Sequence, residues 1–194
     1  MAALPEGLLE TMAKVLAGVT MSLDGFANDR NGDVGRLYPD LEALRKTEML
    51  REEMATTGAV VMGRRAYDMA EGDFTGYEFQ TPIFVVTHRP PLKAAKGEND
   101  RLTFTFVMAG VESAIEQAKA AAGDKNVMVV GGANTAQQCL RAGLVDELQI
   151  GIVPVLLGAG LRWFEPLGIE PIELEQLKVL QSPGRIDLIF RVVK

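Results

Sequence analysis

Short apolar runs alternate with helix-like stretches along most of this chain, and from Asp146 onward only strand-like runs remain. Val15 to Val19 form the first apolar run, and Ala59 to Met62 the next. Ile83–Thr87, Phe104–Val107 and Asn126–Val130 follow. Runs that are apolar on both faces read as strands buried on both sides. Between them, Asp40 after Pro39 predicts an N-cap for a helix over residues 41–56, with Ala43, Thr47, Leu50 and Met54 as its inner stripe. Val111 to Ala122 reads as a helix ended by Gly123, and residues 134–141 as another. Strands separated by helices pair in parallel through crossovers. The late strands, 147–153, 172–180 and 186–193, add antiparallel pairs, with Ser182-Pro183-Gly184 as a turn. The expected fold is one three-layer α/β domain over residues 13–194, helices on both faces of a mostly parallel sheet. Residues 1–12 read as a loose N-terminal extension.

Composition narrows the function classes. Hydrophobic residues make up 47% and charged residues 24% of 194, a globular mix. With Lys+Arg 20 against Asp+Glu 26, the net charge of -6 speaks against nucleic-acid or anionic-membrane surfaces, which need concentrated positive charge. A single Cys139 and a single His88 leave no metal-ligand set, so no metal is expected. Cys139 reads as a small core hydrophobe. No run approaches the about 18 apolar residues of a membrane span, and residues 1–12 lack the basic start of a signal peptide. A cytoplasmic protein is expected.

Three strand ends carry the candidate chemistry: Gly63-Arg64-Arg65, Thr87-His88-Arg89 and Gly131-Gly132-Ala133-Asn134. Ligands of open α/β sheets sit at the carboxyl ends of strands, and glycine turns entering helices suit phosphates. Arg64, Arg65, His88 and Arg89 place four potential cations on neighbouring strand ends, suited to a phosphate monoester. Solvated surface charge is the plain alternative for Arg65 and Arg89. Neither a G-x-G-x-x-G fingerprint nor a P-loop is present.

These residues resemble a known family. Ser22-Leu23-Asp24-Gly25-Phe26-Ala27 is similar to the "SLDG" loop of the riboflavin-biosynthesis reductase domain. Val61-Met62-Gly63-Arg64 with Tyr67 resembles a turn shared with dihydrofolate reductases. Leu144-Val145-Asp146-Glu147-Leu148 and Pro154-Val155-Leu156-Leu157-Gly158-Ala159-Gly160, with Phe164, are the most specific matches. The resemblance implies a dihydrofolate-reductase-like sheet with NADPH across the strand ends. It places Gly63 and Arg64 on the cofactor phosphates, and Thr87, His88 and Arg89 on the adenosine 2′-phosphate. Gly131, Gly132, Asn134 and Thr135 would line the pyrophosphate and nicotinamide ribose, Ala17 would lie beside the nicotinamide, and the Asp24 loop would close over it. The usual threonine of the Gly-Arg turn is Ala66 here, so one hydroxyl donor is missing. A homodimer is also implied, with Val153, Leu156 and Trp163 in its interface.

Reducing a C=N bond needs a proton as well as a hydride. Glu42, Glu48, Glu52 and Glu53 lie in the first helix; Glu48 falls beside Leu44 and Ala55 at the margin of the apolar face and is the best candidate, with a solvated helix glutamate as the plain alternative. Asp24 is the second acidic candidate, either as an acid or as an organiser of its loop. The zinc-ligand motifs of the family's fused deaminase are missing, so deamination is not expected. The implied activity is NADPH-dependent reduction of a small heterocycle of pyrimidine or pteridine type. A catalytically idle nucleotide-binding homologue and a purely structural dimerisation domain are the alternatives.

Overall fold

The computed structural model describes residues 13–92, 94–164, 168, 170–182 and 184–194. The extension expected over residues 1–12, and Pro183 of the last turn, lie outside the described residues. The first half of the chain contributes β1 (Val15–Ser22), β2 (Phe26–Asp29), α1 (Leu41–Arg45), α2 (Glu48–Thr56), β3 (Thr57–Gly63), α3 (Arg64–Met69) and β4 (Ile83–Val86). The second half contributes β5 (Phe104–Val107), α4 (Val111–Ala122), β6 (Asn126–Val130), α5 (Ala133–Arg141) and β7 (Glu147–Val153). Three further strands follow: β8 (Gly160–Arg162), β9 (Leu174–Ser182) and β10 (Arg185–Val192).

Eight strands form one sheet in the order β5-β4-β3-β6-β1-β7-β10-β9. The six from β5 to β7 run parallel, β10 is antiparallel to β7, and β9 is antiparallel to β10. The small strands β2 and β8 pair separately. Alternating side chains divide the core. Val15, Ala17, Val61, Val127, Val129, Leu148 and Ile150 face α4 and α5, with Trp163 in the same cluster. Leu16, Val60, Met62, Ile83, Val85 and Met128 face the other way, toward Tyr67 of α3 and Leu50 of α2. Helices therefore cover both faces, as the alternation of apolar runs predicts.

The structure departs from the sequence reading at the first helix. One helix over 41–56 is two, broken at Thr47, whose extended backbone and Oγ1 cap α2 by accepting from the Leu50 N–H at 3.3 Å. The threonine hydroxyl supplies the acceptor that the Leu50 N–H lacks once the helix is interrupted. The break changes the inward face: Met49 is buried and Leu50 half-buried, while Ala43 and Met54 of the expected stripe are exposed. The expected strand at Thr87 stops at Val86, and the Gly63-Arg64-Arg65 turn is the start of α3. Val153 and Trp163, expected in a dimer interface, are buried within the chain itself, leaving only Leu156 of the three exposed. No helix among the described residues is long and apolar enough to cross a membrane.

Candidate functional site

Because β4, β3 and β6 are adjacent, the ends of these strands bring Thr87, Gly63 and Gly131-Gly132 side by side. The glycines are required by close approach. A Cβ on Gly63 would collide with Thr135 Oγ1, and one on Gly131 would stand 2.6 Å from Ala66 Cβ. Gly131 and Gly132 also hold φ of 59° and 82°, which side-chain-bearing residues rarely adopt. The result is a backbone cradle opening at the N-terminus of α5, with Thr135 buried beneath it. Asn134 is exposed at the first turn, its Oδ1 accepting from Gln138 Nε2. Ala66 packs against the Gly131 turn, so the hydroxyl that the family resemblance leads one to expect gives way to a closer approach of α3 and the glycine pair.

Next to the cradle, Thr87 is buried and its hydroxyl is committed to the turn. Oγ1 donates to the Arg89 carbonyl at 2.7 Å and accepts from the Arg89 N–H at 3.3 Å. Arg64 holds the same turn, donating from Nη1 to the Arg89 carbonyl at 2.9 Å while Nε bonds Asp68 at 2.7 Å. Thus Thr87 and Arg64 shape the turn. Arg65 of α3, and His88 and Arg89 of the turn, are exposed beside it, and among the described residues none has an ion-pair partner.

Ala17 does not line the cleft. Strand alternation turns it into the α4–α5 core, fully buried, and Gly18 borders the open face instead. There, between α2 and strands β1, β7 and β10, lies a pocket of about 170 Å³. Thr20, Glu53, Gln149 and Arg185 supply its polar groups, and Met49, Leu50 and Phe79 its apolar wall.

Glu48, the acid expected from an unbroken helix, is not in this pocket. As the first residue of α2 its side chain is 70% exposed and bonded to Lys178 Nζ at 3.0 Å. Glu53, on the inward face created by the Thr47 break, takes the position instead. Burial pushes its carboxyl up to about 7; Arg185 pulls against that shift, and Asp187 and Glu52 add to it. Arg185 is fixed from below: its guanidinium is paired with Asp187, whose side chain is 1% exposed, and Nη1 reaches Thr20 Oγ1 at 3.4 Å. Gly151 leaves the room that this guanidinium fills. The parity of polar residues was the available signal. Gln149 and Gly151 on β7, and Arg185 and Asp187 on β10, share the sheet face opposite to Leu148 and Ile150.

Asp24 stands apart from this pocket and is fully engaged. It accepts from Ser22 Oγ at 2.6 Å, from the Leu157 N–H at 3.1 Å and from the Gly158 N–H at 2.8 Å. The Ser22 hydroxyl and the two amides hold its carboxyl down at about 2. It organises the loop, tying residues 22–25 to 157–158, and has no proton to give near neutrality.

An eight-stranded, mainly parallel sheet with antiparallel C-terminal strands and a glycine cradle at its carboxyl ends defines a dihydrofolate-reductase-like fold. The model of the RibD C-terminal domain matches residues 13–188, and the chain belongs to that family. Its structure is similar to a putative riboflavin biosynthesis protein from Shewanella sp. PV-4, with a TM-score of 0.76 and 21% identity over 93% of this chain and 99% of that one. The diaminohydroxyphosphoribosylaminopyrimidine deaminase/5-amino-6-(5-phosphoribosylamino)uracil reductase of Thermotoga maritima gives 0.72 and 17% over 95% of this chain, but 58% of its own length. Dihydrofolate reductase from Enterococcus faecalis, solved with NADP(H), gives 0.60 and 12%, covering 93% and 97%. At these identities the solved structures establish the fold.

The Asp24 tie has a pH signature. A depressed carboxyl contributes above its unfolded value of 3.8 and loses that contribution as pH falls through about 2. Hydrogen exchange should therefore show the Leu157 and Gly158 amides protected at pH 5 and progressively released below pH 4. In Asp24→Ala both amides should exchange freely at pH 5.

Proposed function

We propose that this protein is an NADPH-dependent reductase of a small nitrogen heterocycle of pyrimidine or pteridine type, with Glu53 as its acid. The carrying observation is Glu53 itself: a half-buried carboxyl, pushed up to about 7 by desolvation, lining a pocket of about 170 Å³ that Gly131 links to the glycine cradle. A catalytic acid is most effective when its pKa lies near the working pH. The cradle fits a dinucleotide, since Cβ-free approach at Gly63 and Gly131 and the N-terminus of α5 suit a pyrophosphate. Arg65, His88 and Arg89 suit the extra phosphate that distinguishes NADPH from NADH.

When bound, the cofactor supplies the hydride; the chain supplies the rest. Gly18 borders the pocket without a side chain, and Met49, Leu50 and Phe79 offer apolar surface to a ring. The protonated Glu53 gives its proton to the ring nitrogen of the C=N bond as the neighbouring carbon receives the hydride. The carboxylate left behind is stabilised by Arg185 and regains its proton from water. Asp187 and Thr20 hold Arg185 in place and so position it.

Nicotinamide fluorescence should show NADPH binding much more tightly than NADH. Arg89→Ala should weaken NADPH roughly tenfold or more, the size of one charge-assisted hydrogen bond, and leave NADH little changed. Binding of neither dinucleotide would sink the reductase reading and leave an idle scaffold.

Glu53 links activity to stability through pH. Its raised carboxyl favours the fold while protonated, and that advantage is lost as pH rises from about 4.5 through about 7. Turnover should fall above pH 7, whereas Glu53→Gln should abolish turnover and be more stable than the parent above pH 7 in urea melts. Turnover in Glu53→Gln equal to that of the parent would remove Glu53 from the mechanism.

We also propose that the protein pairs with a second copy through the outer strands, where Leu174, Val179 and Ile186 are exposed. Light scattering at micromolar concentration should give twice the mass of the chain, and Val179→Glu should halve it.

A further inference from the structure

The cavities on the α2 face differ from the cofactor rim in one respect: every cation that lines them is bonded to a carboxylate. Lys14 and Lys178 line a cavity of about 410 Å³ at the amino ends of β1, β6 and β7. Lys14 bonds Glu147 at 2.8 Å, and Lys178 bonds Glu48 at 3.0 Å and Glu52 at 3.6 Å. Arg185, in the ring pocket, bonds Asp187 through Nε at 2.7 Å. Arg45, in a cavity of about 370 Å³ beside α3, bonds Glu78 at 2.9 Å. The cations of the cofactor rim, Arg65, His88 and Arg89, have no such partner among the described residues.

The remaining polar groups of the ring pocket suit a neutral ligand. Gln149 is 7% exposed, lines both the ring pocket and the 410 Å³ cavity, and its Oε1 is buried with no hydrogen-bond partner. A buried acceptor without a donor costs free energy that a ligand N–H can recover. Met49, Glu53 and Gln149 are shared by the two cavities, so a ring in the first can send a substituent toward the second. The second cavity carries Glu52, Asp124 and Glu147, besides the protonated Glu53, against the two paired lysines. A phosphate ester, with a charge of about -1.5 to -2 at neutral pH, would meet these carboxyls with no unspent cation to receive it.

Resting on the reductase reading above, we infer that the substrate of this protein is an unphosphorylated, uncharged heterocycle, held by a ring N–H on Gln149 Oε1. This separates it from a reductase of the kind named for Thermotoga maritima, whose stated substrate carries a phosphoribosyl group. Specificity here arises from repulsion as much as from attraction.

The test is calorimetric titration of the NADP⁺-loaded protein with 5-amino-6-(5-phosphoribosylamino)uracil, and with the same compound after phosphatase treatment. The dephosphorylated compound should bind at least tenfold more tightly, and Gln149→Leu should weaken it at least tenfold while NADP⁺ affinity stays unchanged. The unchanged NADP⁺ affinity also shows that the variant is folded. Equal or tighter binding of the phosphorylated compound, or binding of neither to protein that holds NADP⁺, overturns the inference and leaves the reductase reading standing. Failure of NADP⁺ itself to bind removes both.

Discussion

Strand β1 is bonded in parallel to β6 on one side and β7 on the other, and this double pairing organises the molecule. A strand with neighbours on both edges and helices on both faces has no solvent-facing side, so its residues must be small or apolar throughout. Alternation then gives its two faces different tasks. Val15 and Ala17 complete the core under α4 and α5, while Gly18 and Thr20 on the other face border the pocket under α2. The parallel run β4-β3-β6 beside it places three strand ends in a row, and the glycine cradle follows from that row.

Glu53 is held in this fold against a desolvation penalty. A carboxyl under α2 is desolvated, and desolvation disfavours its charged form. Arg185 reduces that penalty, but the guanidinium is itself buried and needs Asp187 beneath it and the absence of a side chain at Gly151. Three residues on β7 and β10 thus maintain one residue on α2. A buried charge pair of this kind gains little for stability by itself, because desolvation consumes most of its Coulomb attraction. Its consequence is positional: it holds a cation beside the Glu53 carboxyl.

The Asp24 loop is a second example of polar groups used for geometry. Its carboxylate joins the turn after β1 to the turn after β7, segments more than a hundred residues apart, by accepting from two backbone amides. Asn28 repeats the device by accepting from the Leu161 N–H at 3.0 Å, and Trp163 closes the gap, its carbonyl accepting from Gln137 Nε2 of α5. These backbone donors are thus met by side-chain acceptors from the facing segment.

Local pattern was sufficient for the strands of the main sheet and for α4 and α5, but not for β2, β8, α3 or the break between α1 and α2. Buried strands such as Ala59 to Met62 are continuous apolar runs, α4 is periodic and ends in glycine, and the Asp40 cap is read from one residue. The strand-end glycines were legible for the same reason, since only close backbone approach or a positive φ calls for them. The acid was not. A helical wheel drawn through Thr47 selects Glu48, whereas the hydroxyl of Thr47 ends one helix and caps the next, and the rotated wheel selects Glu53. Likewise Ala17 and Gly18 are neighbours in sequence, and only the packing of α4 and α5 decides which of them faces the pocket. Arg185, Asp187 and Gln149 come from separate strands whose pairing register brings them together. Sequence by itself determined the strands of the main sheet and the helices α4 and α5, because those depend on periodicity and capping within a few residues. Tertiary structure alone decided which charges are buried and paired, because burial depends on what long-range pairing places opposite each side chain.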